Sequence, residues 1–177
     1  MSKIRICGIV SDLKPSGPGR RVCEIAARLD RDKFEVSVIA LQGGTLSESL
    51  EQASIDVKVM NVSGIFGLMR LGRLAGLIRN CQADLVHTHG FRADLAGRPA
   101  ARLAAVPSLV HTVHKAEGRF KPWRFAYARF LSGYCDRVIC VSPSVKEHHA
   151  GRSGLPLDKY SVIPSGIDVD AYKPDPD

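Results

Sequence analysis

Short, nearly unbroken apolar runs alternate along this chain with longer stretches in which apolar residues return every third or fourth position. The first pattern reads as β-strand buried on both faces, the second as amphipathic helix. KIRICGIV (3–10) opens the series as a strand, followed by the Gly/Pro/Ser loop SDLKPSGPG and by RRVCEIAARL, where Val22, Ile25, Ala26 and Leu29 share a helical face. KFEVSVIAL (33–41) predicts a second strand, TLSESLEQA a short helix begun by Thr45 with Glu48 in capping-box register, and IDVKVMNV a third strand. Over 66–81, Leu68, Leu71, Leu74, Leu77 and Ile78 line one face and Arg70, Arg73 and Arg79 another, so a helix leads into the strand ADLVHTH. Helices over about 91–105 and 120–133 lead into PSLVHTVH and DRVICVS, and a last short helix leads into YSVIPSG.

This alternation predicts an α/β fold: a Rossmann-like, doubly wound, mostly parallel sheet of about seven strands with helices on both faces. Ligands of such sheets bind outside the carboxyl ends of the strands, where the strand order reverses. Candidate functional residues are therefore those just after strands.

Composition narrows the class. With 177 residues, 45% hydrophobic and 24% charged, the chain suits one globular domain and neither a fibrous nor a disordered protein. No apolar run approaches the ~20 residues of a transmembrane helix, and the N-terminal apolar stretch is too short for a signal peptide, so a cytoplasmic location is expected. The five cysteines (Cys7, Cys23, Cys81, Cys135, Cys140) have no C-x-x-C spacing and read as reduced, mostly buried thiols. The net charge of +7 points to anionic partners: nucleic acid, acidic lipid or phosphate-bearing small molecules.

Four of the six histidines fall in two look-alike segments, LVHTHG and LVHTVHK, whose shared histidines, His87 and His111, stand 24 positions apart. That period equals one strand plus one helix, so the repeat reads as two consecutive βα units. His87 and His89 share a strand face, but Asp94, His111, His114 and Glu117 offer no third metal ligand at a recognised spacing. His87 and His111 therefore read as satisfied core histidines, His89 and His114 as site histidines.

The first loop, KPSGPGRR, sets glycines before a helix, an arrangement suited to a phosphate. It lacks the third glycine of a dinucleotide fingerprint, the second strand ends without a ribose-binding acid, and no Walker motif or G-x-S-x-G elbow is present. Residues 118–130, GRFKPWRFAYARF, interleave cations with aromatics. That pattern fits an ordinary helix with aromatics inward, or one lying on an anionic membrane surface; stacking on nucleic-acid bases is a third use.

In order and spacing, the glycine loop before RRVCEIAARL, ADLVHTHG, LVHTVHK, DRVICVSPS and VIPSGIDVDAYKP together resemble the N-terminal half of a retaining glycosyltransferase of family 4, the large GT-B-fold group. The resemblance covers essentially the whole chain. It implies that residues 1–166 form the Rossmann-like acceptor-side domain, that 167–177 begin an interdomain linker, and that a C-terminal domain binding most of the nucleotide-sugar lies outside this chain. The implied enzyme moves a sugar from a nucleotide-sugar to a lipid-linked or polysaccharide acceptor at the inner face of the membrane, and this half alone should not turn over.

Carried over by position, Gly17 and Gly19 lie near the donor pyrophosphate, and His114 contacts the donor sugar and orients the reacting centre as the candidate catalytic residue. His89 and Gly90 line the acceptor pocket, while Lys115 and Arg119 bind a phosphate on the acceptor. No metal or other cofactor is expected, the nucleotide-sugar being substrate. Two departures stand out: Ser16-Gly17-Pro18-Gly19 replaces the family's common Gly-Gly pair, and Ser165 a common Asn. Two other readings remain. A nucleotide-sugar 2-epimerase half would need carboxylates around the cleft, where Asp12, Asp94 and Glu117 are scattered. A non-enzymatic anion- or nucleic-acid-binding module would show salt-dependent oligonucleotide binding, and no nucleic-acid partner is expected.

Overall fold

The computed structural model describes residues 2–61, 68–116 and 121–166. Strand β1 (Ile4–Asp12) leads to α1 (Gly17–Arg28), then β2 (Phe34–Gln42), α2 (Leu46–Gln52), β3 (Asp56–Val59) and α3 (Leu68–Asn80). There follow β4 (Leu85–His89), α4 (Phe91–Leu103), β5 (Ser108–Val113), α5 (Pro122–Phe130), β6 (Arg137–Cys140), α6 (Pro143–Ser153) and β7 (Tyr160–Val162), with single 3₁₀ turns before β6 and β7. The strands form one parallel sheet in the order β3-β2-β1-β4-β5-β6-β7. The chain winds outward from β1 to β3, then returns along α3 to lay β4 against the other side of β1. The order thus reverses between β1 and β4, which opens a crevice at their carboxyl ends.

Register divides the side chains between two cores. On one face Val10, Val38 and Ala40 pack with Val22 and Ala26 of α1 and Leu50 of α2. On the other, Cys7, Ile9, Ile39, Val86 and Val138 pack against α3, α4 and α6 through Leu74, Ile78, Ala93, Ala100 and Val145. Central strands covered on both sides must be apolar at successive positions, which is why β1 and β2 read as continuous runs. Each fully buried Ile, Leu or Val contributes roughly 1.5–3 kcal/mol through burial alone.

The helix ends show where local chemistry overrode the expected boundaries. Helix α1 starts at Gly17, inside the expected loop, because Ser16 caps it by accepting from Gly19 N–H at 3.4 Å and Pro18 fits the first turn. The SPS of DRVICVSPS is the corresponding start of α6: Ser142 accepts from Val145 N–H at 3.2 Å, ahead of Pro143. The capping box expected at Thr45 does not form. Thr45 is itself helical (φ −64°, ψ −19°), its side chain makes no cap hydrogen bond, and Ser47 Oγ instead donates to Gly44 O at 2.8 Å. Residues 167–177, expected to begin a linker, lie outside the described residues.

Gly44 holds the ends of β1 and β2 together. A Cβ there would overlap the backbone of Leu13, whose carbonyl accepts from Leu46 N–H at 3.0 Å. Gly44→Ala is therefore expected to cost about 2–3 kcal/mol and, in a chain of this length, to lower Tm by roughly 5–10 °C. An unchanged thermal melt would show that the two loops part freely.

Candidate active site at the β1/β4 crevice

A cavity of about 450 Å³ opens at the carboxyl ends of β1, β4 and β5. Its walls come from the start of α1 (Ser16, Pro18), the β4–α4 junction (His89, Gly90, Phe91, Arg92), the residues after β5 (His114, Lys115) and the inner side of α5 (Arg124, Phe125). Of the site residues singled out from the sequence, His89, Gly90, His114 and Lys115 line this opening, whereas Gly17 and Gly19 do not. Arg119 falls outside the described residues.

The two first-loop glycines do different things. Gly19 is buried, its N–H is taken by Ser16, and a Cβ on it would stand 2.6 Å from Lys14 O, so only glycine allows the loop to fold over the helix start. Gly17 is exposed with open space around its Cα, at the positive end of α1. Gly90 caps α4 at φ 80°, ψ 163°, a conformation open to glycine, and its N–H donates to Thr112 O at 3.1 Å, pinning α4's start to β5.

The repeat resolves into two histidine groups on opposite faces. His87 and His89, two apart on β4, lie with ring centroids 3.9 Å apart and planes tilted by 34°, and His87 Nε2 meets Thr112 Oγ1 at 2.7 Å. His114, beyond the end of β5, joins them: its Nε2 lies 3.3 Å from His89 Nδ1. His87 is satisfied as expected but only half-buried, whereas His89 is 3% exposed. Burial pushes His114 down to about 4, with repulsion from His111 and Arg21 adding to it, and burial takes His87 to about 3. His89 is depressed by the same cause, so all three rings are neutral at pH 7.

The other face holds a buried polar network that the sequence did not reveal. Asp94 accepts from Thr88 Oγ1 at 3.0 Å and from Arg98 at 3.2 and 2.7 Å, and His111 Nδ1 lies 3.4 Å away. Arg98, 1% exposed, reaches onward to Leu131 O and Ala128 O at the end of α5. Pro99 lacks the N–H that would bond Leu95 O within α4. Tyr127 of α5 donates to that carbonyl at 3.1 Å instead. The available signal was an i, i+4 Asp–Arg pair in ADLAGRPAA, where every other residue is apolar or glycine.

Helix α5 divides its aromatic residues. Phe125 is buried and Tyr127 half-buried, while Trp123 is 46% and Phe130 83% exposed. The Arg124 guanidinium sits 4.6 Å over the ring of Phe91, which also meets Trp123 edge-on at 5.2 Å. Arg92, Lys115 and Arg124 face the cavity against Asp12 and Asp94, and Asp94 is already neutralised by Arg98. With the histidines uncharged, cations outnumber carboxylates among the described residues that line the opening. Among the described residues no three His, Cys, Asp or Glu side chains are grouped to hold a metal ion.

Residues 15–171 match the family model Glycosyltransferase Family 4. The chain belongs to that family. Its similarity to family members extends along almost all its length: a UDP-Gal:alpha-D-GlcNAc-diphosphoundecaprenol alpha-1,3-galactosyltransferase of Escherichia coli is 28% identical over 183 residues, covering 98% of this chain and 47% of the relative. Anabaena Alr3699/HepE in complex with UDP and glucose superposes with a TM-score of 0.81 at 24% identity, over 98% of this chain and 47% of that one. A glycosyltransferase from Rickettsia africae gives 0.78 at 24% identity, over 96% and 45%. These two structures share the fold, and the family 4 chain described here spans about half the length of each relative.

Proposed function

We propose that this chain is the acceptor-side half of a retaining glycosyltransferase that moves a hexose from a UDP-sugar onto a sugar diphosphate carried by a polyprenol lipid. In this reading residues 1–166 form the N-terminal domain, 167–177 lead to a second domain that binds most of the donor, and the chain does not turn over without it. The observation that carries the proposal is the cavity at the β1/β4 crevice, with its excess of cations beside neutral histidines. The E. coli relative, named for UDP-Gal and a diphosphoundecaprenol acceptor, and the Anabaena structure with UDP and glucose, support the substrate classes.

Each residue then has a task. Gly17 N–H and the start of α1 face the donor diphosphate. His114 contacts the donor sugar and orients it, with His89 and Gly90 at the acceptor wall. Arg92, Arg124 and Lys115, together with Arg119, hold the acceptor diphosphate. Catalysis comes from placing two substrates against each other and from fixed dipoles around the developing charge, with no metal.

The outward face of α5 supports a membrane-surface location for this reading. No helix among the described residues is long and apolar enough to cross a membrane. Trp123 and Phe130, flanked by Lys121 and Arg129, suit the cytoplasmic surface of an anionic bilayer, where a polyprenol acceptor is presented.

The test is steady-state transfer by the two-domain enzyme from UDP-hexoses to a GlcNAc-diphosphate-polyprenol. His114→Ala is expected to lower kcat about a hundredfold. Arg92→Ala combined with Lys115→Ala is expected to raise the acceptor KM at least about tenfold, the scale of one lost charge-assisted hydrogen bond, with the donor KM unchanged. Undiminished transfer by the His114 variant would sink its assigned role. An unaltered acceptor KM would remove the diphosphate from this opening.

A further inference from the structure

Cys7 lies within β1 with no exposed surface, on the sheet face that α3 covers. Parallel register sets Ser37 of β2 beside it and Asp56 of β3 beside Ser37, so the three side chains form a row across that face. Lys58, two residues on along β3, shares the face and reaches Asp56 Oδ1 at 2.8 Å. Cys81, one residue past the end of α3, closes over this row. Its N–H continues the last helical turn to Leu77 O at 3.2 Å, and its half-buried side chain packs on the same core and hydrogen-bonds both Cys7 and Ser37.

The two thiols of this cluster are unequal. Cys7 is held protonated, first by donating its S–H to Cys81 and then by burial. Cys81, which solvent reaches, is drawn down to about 6 by that same bond from Cys7, with the Ser37 hydroxyl and the Lys58 cation outweighing burial and Asp56. The other three cysteines are the opposite case. Burial pushes Cys135 and Cys140 up to about 11 and raises Cys23, so thiolate is scarce at all of them near pH 7. An accessible thiolate in contact with a second, protonated thiol is the arrangement in which oxidation of the first is captured by the second.

We propose that Cys81 and Cys7 form a redox couple that a hydroperoxide converts into an intramolecular disulfide, Cys81 reacting first and Cys7 resolving. In the first step the Cys81 thiolate attacks a peroxide oxygen: an S–O bond forms, the O–O bond breaks, and the departing hydroxide takes up the proton that Cys81 had released. In the second, Cys7 sulfur attacks the Cys81 sulfenic acid, an S–S bond forms, the S–O bond breaks, and the Cys7 proton leaves with the oxygen as water. Two thiols lose two electrons in all, and one hydrogen peroxide is reduced to two waters. The couple stands near the amino end of β4, where Cys7 pairs with Val86, whereas the crevice opens at the carboxyl end, where Val10 pairs with His89. Its chemistry is therefore independent of the sugar-handling site.

The test is hydrogen peroxide, one equivalent per chain at pH 7, added to the fully reduced chain, followed by alkylation of the remaining thiols and peptide mass spectrometry. The chain is expected to lose two hydrogens and to yield a peptide linking Cys7 to Cys81, with Cys23, Cys135 and Cys140 alkylated. Five free thiols, a disulfide between any other pair, or oxidation that stops at Cys81 sulfenic acid overturns the proposal. Iodoacetamide labelling of Cys81 in the untreated chain should reach half its plateau rate below about pH 7.5, against about 8.5 for a free thiol; an ordinary midpoint overturns it as well. Cys7→Ser keeps a hydrogen-bond donor but has no second sulfur, so the low midpoint should persist while peroxide leaves a Cys81 sulfenic acid that dimedone traps. Cys7→Ala removes the donor too and should raise the midpoint. In Cys81→Ser, Cys7 should resist peroxide; oxidation of Cys7 there at the parent rate would make the buried thiol the one attacked, and overturn the assignment.

Discussion

Acidifying the protein from pH 7 to pH 5 will lower its unfolding free energy by on the order of 10 kcal/mol. Five histidines, His87, His89, His111, His114 and His149, are held below the ordinary imidazole range, in every case chiefly by burial. In the unfolded chain each takes up a proton near pH 6.5. In the native state His114 and His149 wait until about 4 and His87 until about 3. Between those limits the unfolded state binds more protons, so stability falls as pH falls, by about 1.4 kcal/mol per pH unit for each ring that stays neutral. Above pH 6.5 both states are neutral and these groups contribute no pH dependence. Even His111, 3.4 Å from Asp94, follows the pattern, because Arg98 already answers that carboxylate and burial dominates. Urea titrations at pH 7, 6 and 5 should show the midpoint dropping with an unchanged m-value. A constant midpoint across that range would mean that the rings are charged in the native protein.

Asp94→Ala is expected to cost about 3–5 kcal/mol, because it leaves the Arg98 guanidinium buried without its counter-charge. The same change removes the acceptor of Thr88 Oγ1 and the neighbour of His111. Pairing Asp94→Leu with Arg98→Met takes both charges out of the interior and should recover most of the loss, since a buried ion pair adds little beyond apolar residues of similar volume. What the double variant does not replace is the anchoring of α5 by Arg98 through Leu131 O and Ala128 O. Its expected signature is near-normal chemical denaturation combined with faster proteolysis around residues 121–131. If Asp94→Ala were as stable as the parent, Arg98 would have to reach water, contrary to its 1% exposure.

Much of this architecture is legible in the sequence. Apolar runs such as VIAL in β2 mark strands covered on both faces, and seven of them separated by helical stretches leave few alternatives to a parallel sheet. Proximity along the sequence served as well: His89 ends one strand and His114 follows the next, so a crevice at strand ends brings them together. The offset between HTH and HTVH already implied that His114 leaves the face of His111, and it does, to meet His89. Contacts set by the third dimension were harder to see. The i, i+4 spacing hints at the Asp94–Arg98 pair, but nothing in the sequence brings Thr88 and His111 to it, because two strands and a helix must first dock. The role of Gly19 was hidden for the same reason: its tight neighbour, Lys14 O, belongs to a loop whose path only the folded chain defines. At Thr45 the sequence misled, since a residue that is itself helical cannot fold its hydroxyl back over the helix start.

Helix α5 is attached to α4 by bonds that end on main-chain oxygens: Tyr127 reaches the carbonyl orphaned by Pro99, and Arg98 reaches Ala128 O and Leu131 O. Main-chain oxygens are indifferent to the side chain they accompany. The outward positions Ala126 and Phe130 can therefore be rewritten by mutation without loosening the joint, whereas Trp123 keeps its edge-on contact with Phe91. A lineage could in this way retune which lipid surface or acceptor carrier it meets while its sugar-handling crevice stays fixed, and the variability of sequence should be greatest on that one exposed stripe.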